Sequence, residues 1–272
     1  MNFIKNVEAA QTKNQSFLCV GLDPDLSKIP NELLKDKSPL FSFNKAIIDA
    51  TADLVCCYKP QIAYYAAIGA EEQLKQSIDY IHNNYPGIPV ILDAKRNDIG
   101  STAEMYAREA FERYSADALT VNPFMGSDTL EPFLKYKDKG VIVLCKTSNA
   151  GSADFQNRII DGSPLYILIA KKASSEWNAN NNVCLVVGAT YPEEMRAIRL
   201  AAPTIPFLVP GIGAQGGDVV GVLKNGSTEK GCGLIINSSR AIIHAGSDAD
   251  FDVKARQAAL QQRLAINDAR LK

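Results

Sequence analysis

The sequence has very few of the residues that most often bind metals or activate nucleophiles. Histidine occurs only twice, as His82 and His244. This scarcity argues against a histidine-rich zinc site and against a Ser-His-Asp triad, and both residues are expected to lie on helix surfaces. Any chemistry must therefore rely mainly on carboxylates, lysines and the backbone.

Long apolar segments and an excess of one charge are absent as well. No stretch approaches the ~20 apolar residues that a membrane span needs, and the N-terminal MNFIKNVEAAQTKNQ has no apolar core of signal-peptide length. The net charge is −1 and there is no basic block, so the electrostatic footprint of a nucleic-acid-binding protein is missing. We expect a cytoplasmic protein that binds neither membranes nor nucleic acid.

The six cysteines do not form a metal-binding or disulfide pattern. Most of them lie in apolar runs such as FLCVGL, VIVLC and VCLVV, and no C-x-x-C spacing occurs. We therefore expect reduced thiols that pack in the core as small apolar side chains.

The sequence does contain a series of eight short apolar runs. Their apolar character is continuous, which is typical of strands buried on both faces of a parallel sheet. The predicted strands are 16–22, 54–59, 88–95, 116–122, 140–146, 182–189, 205–211 and 233–238. The predicted helices between and after them are 41–53, 61–84, 101–115, 127–137, 164–178, 192–201, 216–225 and 250–270. The third of these helices begins with a candidate capping box, Ser101 with Glu104.

Eight strand–helix alternations favour an α/β fold of the (β/α)8 TIM-barrel class over a doubly wound open sheet. A barrel of this class takes ~250 residues, and no linker or break in composition divides the chain. We therefore expect one domain that spans 1–272. The longest irregular stretch, 147–164, follows the fifth strand on the C-terminal face, where barrel enzymes build their active sites.

Polar residues stand where the predicted strands end. They are Asp23, Lys59, Asp93, Lys95, Asp98, Asn122, Lys146, Ser148 and Arg240. Scattered salt bridges at a barrel rim would account for one or two such residues. Contributions from most of the strands to one face instead favour a common functional site.

The third strand carries the densest group, in VILDAKRNDIGST. Asp93 and Lys95 are two residues apart and share one face of a strand, whereas Asp98 must reach its target from the following loop. A lysine between carboxylates stays in its ammonium form, which suits it to donate a proton to a developing anion. A simple Asp–Lys bridge with a solvated Asp98 remains the alternative on this motif alone.

The segment PGIGAQGGD, 210–218, indicates phosphate binding. Its glycines let the backbone approach an anion, and the following helix would point its positive end at the same place. Phosphate often binds to the loops after the seventh and eighth strands of a barrel. Arg240, which follows the eighth strand, can bind phosphate oxygens in a bidentate manner.

Taken together, these motifs resemble a known family. LDAKRND is similar to the D-x-K-x-x-D signature of the orotidine 5′-phosphate decarboxylases, which make UMP from OMP in pyrimidine biosynthesis. Further similar motifs span nearly the whole chain: VGLDPD, YKPQ, TVNPFMG, PGIGAQGGD and NSSR. CKTSNAGSADFQ resembles the bacterial branch with a somewhat longer chain. The D-x-K-x-x-D element alone is shared with sugar-phosphate enzymes.

The resemblance implies a set of catalytic roles. Lys95 would protonate C6 of the pyrimidine as carbon dioxide departs, and Asp93 would lie beside the leaving carboxylate. Asp98 would come from the other subunit of a homodimer. Asp98 and Thr102 of that subunit would also contact the ribose hydroxyls.

The resemblance also implies the substrate contacts. Asp23 and Lys59 would hold the ribose, and Ser148 would contact the polar edge of the pyrimidine, with Thr147 as an alternative. At the phosphate end the expected residues are Pro210, Gln215 and Arg240. Ser239 departs from the family, where many relatives have glycine, but the backbone contact to phosphate should be retained. The family requires neither a metal nor an organic cofactor.

The sequence leaves three alternatives to this function. A magnesium-dependent sugar-phosphate decarboxylase or lyase of the same superfamily would use the carboxylates as metal ligands. A phosphosugar-binding protein without activity is disfavoured by the intact Asp93, Lys95 and Asp98 set. A Schiff-base aldolase is disfavoured because the charges around Lys95 keep it protonated.

Overall fold

The computed structural model describes residues 2–212 and 218–271, and within them eight parallel strands form a barrel. The strands are β1 (Leu18–Leu22), β2 (Cys57–Pro60), β3 (Ile91–Arg96), β4 (Ala118–Val121), β5 (Gly140–Lys146), β6 (Val183–Val187), β7 (Phe207–Val209) and β8 (Leu234–Ser238). The hydrogen-bonded order is β2-β1-β8-β7-β6-β5-β4-β3. Isolated parallel bridges, Tyr58 with Val90 and Gln61 with Asp93, join β2 to β3 and close the sheet. The predicted TIM barrel is confirmed.

The continuous apolar character of the strands has a direct structural cause. In β1, Cys19 belongs to the cluster inside the barrel, whereas Leu18 and Val20 belong to the larger cluster between strands and helices. Both faces of each strand are therefore buried in apolar surroundings. All six cysteines are free, and five of them are buried, as expected for core thiols.

The helices surround the barrel. They are α1 (Phe3–Asn14), α2 (Pro39–Thr51), α3 (Ala63–Ala66), α4 (Glu71–Asn84), α5 (Gly100–Arg108), α6 (Glu131–Leu134), α7 (Leu165–Ser175), α8 (Pro192–Ala201), α9 (Val219–Gly226), α10 (Arg240–Ile243) and α11 (Phe251–Arg270). Among the described residues, no helix combines the length and the apolar character needed to cross a membrane.

Two predicted helices are interrupted in the structure. The segment 61–84 is split into α3 and α4, because Gly69 has a φ of +65° and ends the first helix. The segment 127–137 contains a 3₁₀ turn and the short α6, which has Pro132 in its first turn. In both places the chain turns where a continuous helix was predicted.

The capping box predicted at Ser101 and Glu104 is wrong. Helix α5 already begins at Gly100, its N-cap position is Ile99, and no side chain caps it. Ser101 thus lies inside the first turn of the helix, where it cannot act as the N-cap.

Helix α1 was not predicted, and it closes the N-terminal end of the barrel. Phe3 and Val7 from this helix belong to the same apolar cluster as the inward-facing strand residues Ile142 and Ile235. Its buried residues Phe3, Val7 and Ala10 are spaced by four and three positions, which is a helical pattern that the sequence does display. In the part of the chain that the structure describes, this end of the barrel is covered, and a ligand would enter from the opposite, carboxyl end of the strands.

Candidate active site

A cavity of about 600 Å³ opens at the carboxyl ends of the strands. Seven of the ten predicted site residues line it: Asp23, Lys59, Asp93, Lys95, Ser148, Pro210 and Arg240. They come from the ends of β1, β2, β3, β5, β7 and β8, so the barrel brings together residues that are far apart in sequence. His82 and His244 do not belong to this lining.

At the centre of the cavity, the Asp93 carboxylate lies between two ammonium groups. Lys59 Nζ is 2.9 Å from Asp93 Oδ2, and Lys95 Nζ is 2.6 Å from Asp93 Oδ1. Burial alone would favour the neutral carboxyl, but the charges of Lys59 and Lys95 outweigh it and hold the pKa of Asp93 well below its usual range. Asp93 is therefore ionised at neutral pH.

Lys59 is buried and remains charged because acids surround it. Burial disfavours its ammonium form, but the negative charges of Asp93 and Asp23 prevail and raise the pKa of Lys59. The side chain of Lys59 is only 6% exposed, whereas that of Lys95 is 46% exposed. The buried Lys59 is a fixed charge in the wall of the cavity, and the more exposed Lys95 is accessible to a substrate.

Sequence reasoning missed Thr120 on β4, although this residue helps to position Asp93 and Lys95 at the end of β3. Its hydroxyl donates to Asp93 Oδ1 at 2.9 Å, and it accepts from the backbone N–H groups of Ala94 at 3.0 Å and Lys95 at 2.9 Å. The pairing of β3 with β4 shifts register between Leu92 and Arg96. Lys95 has a φ of +48°, so the two side chains meet at an irregular strand end and not on a regular pleat.

Asp23 and Ser239 meet at the end of β1. Asp23 Oδ1 is buried, and within the described residues it has no hydrogen-bond partner, so it can accept a hydrogen bond from a ligand hydroxyl. The Ser239 side chain lies directly over Gly21, where an added Cβ would be 1.7 Å from Ser239 Oγ and 2.7 Å from Ser239 Cβ. A glycine on the neighbouring strand thus leaves room for the Ser239 side chain.

This contact gives a testable result. Replacing Gly21→Ala should lower the free energy of unfolding by about 1–3 kcal/mol, because the new methyl group overlaps the Ser239 side chain. The double variant Gly21→Ala with Ser239→Gly should regain most of that loss, since the nearest remaining atom would be Asp23 Oδ2 at 3.3 Å. Urea unfolding of both variants and of Ser239→Gly alone measures the effect. Equal destabilisation of the single and double variants would show that Ser239 is not the obstacle.

The remaining wall of the cavity is formed by the segments after β5, β7 and β8. Thr147 and Ser148 follow β5, Pro210 follows β7, and Arg240 is the first residue of α10. No carboxylate lies within 4 Å of the Arg240 guanidinium among the residues described, so it can bind an anion. Gln215 lies outside the described residues.

The charged groups around the cavity sum to a small positive value. Two carboxylates, Asp23 and Asp93, face three cations, Lys59, Lys95 and Arg240, which gives +3 − 2 = +1. An anionic ligand is therefore favoured, because lysine ammonium groups and an arginine guanidinium both line the cavity.

Asp98 and Thr102 do not line the cavity of their own chain. Asp98 Oδ1 accepts from the Ile99 N–H at 2.8 Å, and in the described chain it forms no ion pair with Lys95. The lysine between two carboxylates that the sequence predicts is therefore not formed within one chain. Instead, the carboxylate of Asp93 lies between two lysines, and Asp98 lies outside the cavity, just before the N-cap of α5.

Within residues 2–212 and 218–271, no group of three or more His, Cys, Asp or Glu side chains is arranged as a metal site. The functional groups that the structure does bring together are carboxylates, ammonium groups, a guanidinium and hydroxyls.

The chain is similar to known proteins over almost its whole length. Residues 16–254 match the family model described as Orotidine 5'-phosphate decarboxylase / HUMPS family. An orotidine 5'-phosphate decarboxylase of Ralstonia pickettii (strain 12J) is 55% identical over 270 residues, covering 99% of this chain and 100% of the relative. The protein of that name from Dechloromonas aromatica (strain RCB) is 57% identical over 267 residues, covering 98% and 99%. The solved structure of Leishmania donovani OMP decarboxylase has a TM-score of 0.87 and 39% identity, covering 100% of both chains.

Proposed function

Because the chain belongs to the orotidine 5′-phosphate decarboxylase / HUMPS family, we propose that the cavity binds OMP with Lys95 as the proton donor to C6. The activity of the chain is the decarboxylation of OMP to UMP and carbon dioxide in pyrimidine biosynthesis. The magnesium-dependent sugar-phosphate alternative is not favoured, because relatives at 55% and 57% identity are named orotidine 5'-phosphate decarboxylase. The observation that carries the proposed site is Asp93 held between Lys59 and Lys95 in the cavity.

The chemistry follows from the position of Lys95. As the bond between C6 and the carboxylate breaks, carbon dioxide leaves and the electron pair stays on C6. The Lys95 ammonium stabilises that developing charge and transfers a proton to it, and the resulting amine regains a proton from water. Asp93 lies beside the leaving carboxylate and keeps Lys95 in place through the 2.6 Å contact. The interaction with the carbanion exists only as the bond breaks, so it lowers the barrier and does not merely tighten binding.

The part of the cavity lined by Arg240 suits the phosphate. Arg240 has no carboxylate within 4 Å among the described residues, and a guanidinium can bind two phosphate oxygens at once. Pro210 lines the same cavity. Gln215 is assigned to the phosphate by the family resemblance alone. Binding energy gained at this end helps to fix the pyrimidine against Lys95.

The ribose and the pyrimidine of the ligand would be bound by Asp23, Lys59 and Ser148. The buried, unpartnered Asp23 Oδ1 and the Lys59 ammonium suit the ribose hydroxyls. Ser148 is assigned to the pyrimidine in preference to Thr147, because the Thr147 hydroxyl already donates to Asn149 Oδ1 at 2.7 Å. The Ser148 hydroxyl, in contrast, has no protein partner among the described residues.

A homodimer would complete the site. Asp98 and Thr102 lie outside their own cavity, and the segments that follow β2, β3 and β4 carry exposed apolar side chains. These are Ile68, Ile99, Met105, Phe124 and Met125, of which Phe124 is 78% exposed. Exposed apolar side chains on the segments after neighbouring strands favour a protein interface. Across it, Asp98 and Thr102 would reach the ribose end of the partner's cavity.

The proposed chemistry predicts decarboxylation without a cofactor. When purified protein is added, the absorbance of OMP should decay at the same rate with and without excess EDTA. The amount of UMP formed should equal the amount of OMP lost. The control adds magnesium back after EDTA treatment. Loss of OMP turnover in EDTA, restored by magnesium, would refute the cofactor-free assignment. Magnesium-dependent lysis of a sugar phosphate with no turnover of OMP would refute the substrate as well.

Two further assignments complete the proposal. Residues 1–272 constitute one domain, because the eight strands share one sheet and the helices pack around it. Limited proteolysis should therefore yield no stable smaller fragment.

The protein is cytoplasmic, which is consistent with six free thiols. Cell fractionation tests this location.

A further inference from the structure

The segment after β5 is held in place by a side chain that does not line the cavity. Gln156 binds Thr147 at two points: its Oε1 accepts from the Thr147 N–H at 2.9 Å, and its Nε2 donates to Thr147 Oγ1 at 2.9 Å. The Thr147 hydroxyl in turn donates to Asn149 Oδ1. Both neighbours of Ser148 in the chain are therefore fixed, while Ser148 itself faces the cavity.

Gln156 is in turn connected to the barrel through Ser152 and Lys146. Gln156 N–H donates to the Ser152 carbonyl at 2.9 Å, and Lys146 Nζ donates to Ser152 Oγ at 2.8 Å. Lys146 is the last residue of β5 and is fully buried, with its ammonium 4.3 Å from the centre of the Tyr191 ring. It is not part of the cavity wall. A hydrogen-bonded path thus runs from the rigid strand through Ser152 and Gln156 to Thr147.

Among the described residues, the Lys146 ammonium has one hydrogen-bond acceptor, Ser152 Oγ. Burial lowers the pKa of Lys146, and no carboxylate lies within 4 Å of it among those residues. A buried ammonium with so few partners makes Ser152 its main hydrogen-bond acceptor, so displacing Ser152 would leave a charge unsatisfied. The 3₁₀ turn Ala150–Asp154 that carries Ser152 is therefore held firmly to the end of β5.

We propose that Gln156 is a positioning residue for pyrimidine recognition: by holding Thr147, it leaves the Ser148 hydroxyl as the group that contacts the base. The inference rests on the proposed contact between Ser148 and the pyrimidine. Gln156 touches no substrate atom, and its effect is exerted through the backbone of Thr147. Lys146 and Ser152 keep Gln156 in register with the strand.

The decisive variant is Gln156→Met, which keeps the length of the side chain and removes both hydrogen bonds to Thr147. Its affinity for UMP should fall roughly five- to tenfold, as expected for the loss of one or two hydrogen bonds. Its affinity for ribose 5-phosphate, which has no base, should stay at the wild-type value. The KM for OMP should rise with the loss of UMP affinity, and calorimetric titration measures both ligands.

Gln73→Met is the matched control. Gln73 Oε1 also accepts from backbone N–H groups, those of Leu40 at 2.9 Å and Phe41 at 3.2 Å, but it is remote from the cavity. This variant loses the same kind of contact, and it should leave the ratio of UMP to ribose 5-phosphate affinity unchanged. A milder variant, Thr147→Val, removes the hydroxyl contacts to Gln156 and Asn149 but keeps the backbone contact to Gln156, and it should give a smaller loss of UMP affinity in a protein that folds.

The double variant Ser148→Ala with Gln156→Met separates the possible outcomes. If Gln156 acts through Ser148, the double variant binds UMP no more weakly than Ser148→Ala alone. Additive losses of UMP affinity in the double variant would overturn the positioning role. The same conclusion would follow if Gln156→Met left the ratio of UMP to ribose 5-phosphate affinity unchanged while Ser148→Ala lowered it. Both results would leave the contact between Ser148 and the base intact. An unchanged ratio in Ser148→Ala would instead refute the contact between Ser148 and the pyrimidine.

Discussion

Replacing Lys95→Ala should lower kcat for OMP by at least roughly 10⁴-fold, because the variant loses both the proton donor and the charge that stabilises the C6 carbanion. The protein should still fold. Thr120 binds the backbone N–H groups at positions 94 and 95, which the substitution leaves intact, and Asp93 keeps its 2.9 Å contact with Lys59. UMP formation measured over hours with concentrated enzyme gives the residual rate.

Two control variants distinguish this loss from general damage. Lys45→Ala removes another lysine that is paired with an aspartate, Asp49 at 2.8 Å, on the surface of α2, and it should leave kcat unchanged. Arg240→Ala should bind UMP more weakly than the wild type does. It should bind uridine, which has no phosphate, with little change in affinity. Lys95→Ala should retain UMP binding. A rate near that of the wild type in Lys95→Ala would remove this residue from the proton-donor role.

Mixing two inactive variants, Lys95→Ala and Asp98→Ala, should restore activity once their subunits exchange. In a mixed dimer, one site has the wild-type Lys95 of one chain and the wild-type Asp98 of the other. Half of the dimers are mixed at equal concentrations, and each has one complete site of its two, so about a quarter of all sites should work. The prediction rests on Asp98 lying outside its own cavity while Lys95 lines it.

A second mixture provides the control. Lys59 and Lys95 contact the same Asp93, so variants Lys59→Ala and Lys95→Ala leave every site of a mixed dimer incomplete. That mixture should stay inactive. Exchange itself is followed by mass spectrometry of subunits with different isotope labels. Complete exchange without recovery of activity in the first mixture would show that Asp98 does not act across the interface.

Most of the barrel could be predicted from the sequence because strands buried on both faces have a simple pattern. Each of the eight apolar runs overlaps one of the observed strands. Strands β2 and β3 end one residue beyond the predicted bound, at Pro60 and Arg96, and β7 is only Phe207–Val209 within the predicted 205–211. Helix bounds were less accurate where a single residue decides them. The break at Gly69 depends on a φ of +65°, which the local apolar pattern does not show.

The residues of the cavity were predictable because polar side chains at the ends of buried strands have few structural reasons to be there. Thr120 escaped this reasoning because a β-branched residue inside a strand normally packs against its neighbours. Its hydroxyl matters only because β3 and β4 shift register beside it. The close contact of Asp93 with Lys95 was expected from a regular strand, yet it occurs with Lys95 at a φ of +48°.

The conformation of Lys95 also bears on how this protein can change. A residue with a side chain at such a φ costs the folded state about 1–2 kcal/mol, and glycine avoids most of that cost. Thr120 and the β3–β4 pairing must therefore hold a conformation that the lysine itself disfavours. Selection for thermal tolerance alone would favour glycine at position 95 and would lose the proposed proton donor. In this chain, the residue proposed to donate the proton is therefore also one that a search for greater stability would replace.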